Sequence, residues 1–190
     1  MSRALLLLGL SSLLILGEAA QAAELLQVLV ERRGERYRVE VDARFRASAA
    51  ELRRLLTDYP RLGRLNDSIR ESRVVEDNGP GSHCVYTLSR VCVAIFCRDI
   101  VQIQDIVQLE NGDLMARVRP EGSDFRYGVA RWHLWDEADG SRMRFTSEIE
   151  PAFWVPPLIG PWLVQRALRD EALKTVRNLE RLAEGEAGAP

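Results

Sequence analysis

Residues 36–69, RYRVEVDARFRASAAELRRLLTDYPRLGRLNDSI, hold the order on which the fold turns: a strand, a capped short helix, a proline stop and a second strand. Tyr37, Val39, Val41, Ala43 and Phe45 alternate with Arg36, Arg38, Glu40, Asp42, Arg44 and Arg46. A period of two with one apolar and one charged face predicts a half-buried strand. Ser48-Ala49-Ala50-Glu51 then has capping-box spacing ahead of Leu52, Leu55 and Leu56, so a helix is expected to start there. Tyr59-Pro60 closes it, a second helical turn is expected around Leu62 to Asn66, and the chain returns to strand from Ser68.

Working outward, Leu25 to Arg32 reads as a strand joined to the first through Arg33-Gly34-Glu35. Downstream, three hairpins are expected. Treating Asn111-Gly112 as a two-residue turn sets Val107 opposite Ala116 and Asp105 opposite Val118. Treating Asp139-Gly140 in the same way sets Leu134 opposite Phe145, Trp132 opposite Ser147 and Ala130 opposite Ile149. Centring a third hairpin between Ala94 and Ile95 sets Cys92 opposite Cys97, Arg90 opposite Asp99, Leu88 opposite Val101 and Tyr86 opposite Ile103. Each register collects its apolar residues on one face, as a sheet with one wet side requires. The segment from Pro157 to Leu182 keeps helical spacing, with Leu158, Trp162, Leu163, Ala172, Leu173, Val176 and Leu179 on one side. It is expected to cover the other. The fold class is therefore α+β, a curved antiparallel sheet wrapped around a long C-terminal helix.

At the N-terminus Met1, Ser2 and Arg3 precede an apolar run, Ala4 to Leu16, and a stretch of small residues. This is the layout of a secretory signal peptide, too short for the roughly 20 residues of a membrane span. Cleavage is expected between Ala22 and Ala23, leaving one domain over 23–183 and a flexible tail over 184–190; the periplasm, or secretion, is the expected destination. With 26 basic against 28 acidic residues, spread evenly, nothing suggests a nucleic-acid partner.

The segment 47–69, with its capped helix running into Asp58-Tyr59-Pro60 and Leu65-Asn66, carries a resemblance, as do Asp124-Phe125-Arg126-Tyr127-Gly128 and Phe153-Trp154-Val155-Pro156-Pro157. With the order of elements, they resemble the START-like, or helix-grip, superfamily and within it the polyketide cyclase/dehydrase and coenzyme-Q-binding branch. The resemblance implies an apolar cavity between sheet and helix that takes lipids, isoprenoid quinones, polyketides or hormones.

The registers then nominate the site. Tyr86, Leu88, Val101, Ile103, Ala116, Trp132 and Phe145 form the expected floor, Val176 the roof, and Arg90, Asp99 and Asp105 either orient a headgroup or form an ion pair near the open end of the sheet. Small residues at Ala116, Ala130, Ser147 and Ala172 are expected to leave a cavity of a few hundred Å³. Phe153 to Trp162, with Trp154, reads either as a core plug or as a gate that touches a membrane together with the apolar tip Val93 to Phe96. Cys92 and Cys97 are expected to form a disulfide across the tip; the alternative is three reduced cysteines. His83 and His133 are expected to face outward. No metal spacing, phosphate loop or triad is visible, and no cofactor is expected.

Three functions remain: a carrier for a hydrophobic molecule, which leads; a cyclase- or dehydrase-like enzyme; and a module that docks another envelope protein. Oligomeric state is open.

Overall fold

Strand periodicity and hairpin turns dominate the chain between residues 23 and 151, and one long amphipathic segment follows. A computed structural model describes residues 23–93, 96–155 and 160–187. The expected signal peptide, the centre of the β-hairpin tip and Pro156 to Ile159 lie outside the described residues. The elements are β1 (Glu24–Arg33), β2 (Arg36–Phe45), α1 (Ala49–Leu56), a 3-10 helix (Tyr59–Arg64), β3 (Ile69–Asp77), β4 (Ser82–Val93), β5 (Phe96–Gln108), β6 (Leu114–Val118), β7 (Phe125–Glu137), β8 (Gly140–Pro151) and α2 (Gly160–Ala187). One curved sheet of eight antiparallel strands results, in the order β1-β2-β8-β7-β6-β5-β4-β3. The first hairpin thus pairs with the last strand, Val41 facing Phe145. The expected α+β, helix-grip class is the observed one.

Local chemistry sets each joint. Ser48 Oγ accepts the Glu51 amide at 3.2 Å, which starts α1; the Glu51 carboxylate pairs with Arg54 at 2.7 Å instead of completing the capping box. Leu52 and Leu55 of α1 are buried with Val39, Val41, Ala43 and Phe45 of β2 and with Val176, Leu179, Leu182 and Ala183 of α2. Fully burying a leucine contributes roughly 1.5–3 kcal/mol, so these layers hold the closed end of the fold. α2 continues to Ala187, past the expected end at Leu182 and into the segment expected to be a flexible tail.

Two registers differ from expectation. The β5–β6 turn is not a two-residue loop: the Gly112 amide donates to Leu109 O and the Leu109 amide to Asp113 O, each at 2.8 Å. With Gly112 at φ 82°, this is a three-residue turn with a bulge at glycine. Ile106, not Val107, therefore sits opposite Ala116. A one-residue slip moves every side chain of a strand to the other face. The β4–β5 register is the expected one, with Cys92 opposite Cys97 and Tyr86 opposite Ile103, so the inversion passes from β5 into β4. In the β7–β8 hairpin the turn residues are Ala138 and Asp139, which places Trp132 opposite Phe145 and Ala130 opposite Ser147. That slip is two residues, and the inward face survives.

Candidate functional site: a cavity between sheet and C-terminal helix

The long helix leaves a gap over part of the concave face. The loop 65–68 spans part of the gap. Asn66 donates to Thr175 Oγ1 at 3.2 Å, Asn178 donates to Leu65 O at 3.0 Å, and Lys174 meets Asp67 at 2.8 Å. The hydrogen bond from Lys174 holds the Asp67 carboxyl below its ordinary range, and the same contact holds the ammonium above its own.

Between loop, helix and sheet lies a cavity of about 330 Å³. This is the size range of a small-ligand site. Its apolar walls come from Val39 and Val41 of β2, Met143, Phe145 and Ile149 of β8, Trp132 of β7 and Leu168, Ala172 and Val176 of α2. Leu56, Leu62, Leu65 and Ile69 close the side toward the short helices, and Ile106 and Leu114 the side toward β5 and β6. A polar stripe runs along one side, with Thr87 and Ser89 from β4 and Gln102 and Gln104 from β5. Glu171 is the one ionisable side chain among the described lining residues, and its carboxylate meets Lys174 at 3.3 Å.

Of the residues expected at the site, Trp132, Phe145 and Val176 line the cavity. Ala116 is buried beside it, packed with Tyr59, Val85 and Ile106. Burial pushes the Tyr59 hydroxyl up to about 12. Tyr86, Leu88, Arg90, Asp99, Val101, Ile103 and Asp105 are absent from the lining, because the glycine bulge turns their faces of β4 and β5 away from α2. On that convex side Arg73 stacks over Tyr86 at 4.4 Å, Arg119 bridges Asp105 at 2.7 Å and Glu76 at 2.8 Å, and Arg90 meets Asp99 at 3.5 Å. The ion-pair alternative describes those charges. His83 comes round by the same inversion: it faces the Tyr59 ring at 5.4 Å, whereas His133 stays outward and contacts Asp113 at 2.7 Å.

Trp154 is 77% and Trp162 60% exposed, so neither plugs the core. Phe153 lies under the Arg98 guanidinium at 4.1 Å. The Cys92–Cys97 disulfide is present, and Cys84 is free and buried, with burial pushing its thiol up. No group of three or more potential metal ligands occurs among the described residues, and no described helix is long and apolar enough to cross a membrane.

Sequence reasoning missed Gln102, Gln104, Thr87, Ser89, Asn66 and Glu171. The glutamines alternate with Val101, Ile103 and Asp105, and a polar strand face next to an apolar one reads as the wet side. Ala172 and Val176 were visible through their helical spacing, as was β2 through its alternation.

No curated protein matches the chain in sequence. Solved structures match in fold. The Zhui aromatase/cyclase from Streptomyces sp. R1128 superposes with a TM-score of 0.68 at 12% identity, covering 81% of this chain and 97% of that one. A STAR-related lipid transfer protein from Xanthomonas axonopodis gives 0.65 at 15% identity, covering 86% and 99%. A START superfamily protein from Mycobacterium smegmatis gives 0.63 at 14% identity, covering 78% and 98%. A family model described as polyketide cyclase / dehydrase and lipid transport matches residues 36–184. The chain therefore belongs to the polyketide cyclase / dehydrase and lipid transport family, and its fold is START-like.

Proposed function

We propose that this protein is a binding or carrier protein for a hydrophobic molecule, lipid- or isoprenoid-quinone-like, held between the sheet and α2 and delivered outside the cytoplasm. The observation that carries the reading is the cavity of about 330 Å³ walled by Val39, Val41, Trp132, Phe145, Leu168 and Val176. Burying apolar surface there at roughly 25 cal/mol per Å² favours binding without any dedicated charge. Acid–base chemistry has less to draw on, since Glu171 is already paired with Lys174.

Exposed Trp154 and Trp162 support transient contact with a membrane, where an amphipathic ring sits at the headgroup level. The apolar run Ala4 to Leu16 supports export.

Native mass spectrometry of protein purified gently from its own envelope tests the reading: a co-purifying hydrophobic mass is expected, on a chain starting at Ala23. Turnover of an added polyketide, lost in Glu171→Gln, would instead establish the cyclase reading. A protein that retains no small molecule and binds no apolar probe would leave the docking-module reading.

A further inference from the structure

The polar stripe has a composition that restricts the ligand further. Strand alternation puts Gln102 and Gln104 side by side on the concave face of β5, with Thr87 of β4 directly opposite Gln102. Gln102 Nε2 donates to Gln104 Oε1 at 3.1 Å. Whichever way the two amides are turned, one bond between them leaves one amide NH2 and one carbonyl oxygen for a third molecule. Thr87 Oγ1 donates to the backbone carbonyl of Gln102 at 3.4 Å, which spends its proton and leaves its oxygen able to accept. The wall thus offers neutral donors and acceptors together. Opposing it are aromatic and aliphatic side chains.

Charge is disfavoured at the same place. Glu171 is the one ionisable group among the described lining residues, and its cation, Lys174, is shared with Asp67 at 2.8 Å. A carboxylate or phosphate entering this cavity would lose hydration with no counter-charge among the described lining residues. A ketone, quinone or hydroxyl group would lose much less and regain hydrogen bonds from the amides.

Resting on the reading of the cavity as a ligand site, we infer that the ligand is an uncharged amphipathic molecule whose carbonyl or hydroxyl oxygen bonds the Gln102–Gln104 pair. Carboxylates and phosphates of equal length are selected against.

The test uses N-phenyl-1-naphthylamine, a neutral fluorescent probe, bound to the disulfide-intact protein at pH 7.5. It is displaced in turn by 1-tetradecanol, tetradecanoate, tetradecane and a decyl-substituted benzoquinone. The alcohol and the quinone are expected to act at concentrations at least ten-fold below the carboxylate and below the alkane. In Gln102→Leu/Gln104→Leu, shown to be folded by its thermal melt, the advantage of the alcohol and the quinone over tetradecane is expected to vanish. Displacement by tetradecanoate as efficient as that by tetradecanol overturns the inference and leaves the carrier reading standing. Failure of the wild-type protein to bind the probe overturns the carrier reading itself, and with it this inference.

Discussion

Trp132 of β7 and Phe145 of β8 are direct cross-strand partners whose rings stand 5.0 Å apart on the concave face, both in the cavity wall. An aromatic pair at this separation gains roughly 0.5–1.5 kcal/mol beyond its buried area, which favours keeping both rings in the wall. An occupant of the cavity is expected to contact Trp132. Tryptophan emission is expected to change on binding of a quinone, to lose that change in Trp132→Phe, and to keep it in Trp154→Phe. A response carried by Trp154 would place the ligand outside the cavity.

Filling the void separates the cavity from the core around it. Ala172 lines the cavity, so Ala172→Phe puts its ring into empty space. Probe affinity is expected to fall at least ten-fold with a thermal midpoint within a few degrees of wild type. Ala116 is already enclosed by Tyr59, Val85 and Ile106. Ala116→Phe is therefore expected to cost roughly 1–3 kcal/mol, as overpacked cores do. Thermal melts and probe titrations on the two variants check the contrast.

Asp113 supplies the acid limit. Burial alone would raise its carboxyl, but hydrogen bonds from His133 and Arg131 outweigh it and hold the group below the usual carboxylate range. A folded-state value below the unfolded one means that the group binds protons more readily once unfolded. Its contribution is complete above the ordinary aspartate value of about 3.9 and is lost as pH falls through the folded value. Urea melts at pH 7, 4.5, 3 and 2 are expected to lose stability below pH 4.5, and in Asp113→Asn to lose less across that range. The variant is expected to start about 1–3 kcal/mol lower at pH 7, because the amide keeps one acceptor oxygen where Arg131 and His133 use two, and the charge they pair with is gone. An unchanged acid limb in the variant would assign acid sensitivity elsewhere.

The three cysteines are expected to count differently in three conditions. Iodoacetamide should label none in the native protein, because Cys84 is buried and its thiol pushed up while Cys92 and Cys97 are joined. Denaturation without reductant should expose Cys84 alone, and reductant should add the other two. Breaking the bridge removes a very short loop constraint, at most about 2 kcal/mol by chain entropy. Cys92→Ser/Cys97→Ser is expected to bind the probe unchanged.

Local physical chemistry was sufficient for much of this molecule. Period-two alternation located β2, the serine cap located α1, helical spacing located the cavity-facing Ala172 and Val176, and centring a hairpin between Ala94 and Ile95 gave the β4–β5 register, with Arg90 opposite Asp99 and two apolar pairs on the same face. These features depend on neighbours in the chain, and a sequence displays its neighbours. The β5–β6 turn was different. Asn111-Gly112 is compatible with a two-residue turn and with a three-residue turn bulged at Gly112, and the choice depends on which face of β5 meets the short helices and α2. The tertiary structure took the second, burying Ile106 under Tyr59 and leaving Val107 40% exposed. One residue of register then decided the cavity chemistry: Gln102, Gln104, Thr87 and Ser89 came inside, and Tyr86, Ile103 and Asp105 went out. The sequence by itself determined that a sheet would be gripped around a helix, because amphipathic periods impose it. Only the tertiary structure decided which side of β4 and β5 faces the ligand, because both sides carry residues able to be buried and the difference rests on packing against elements far away in the chain.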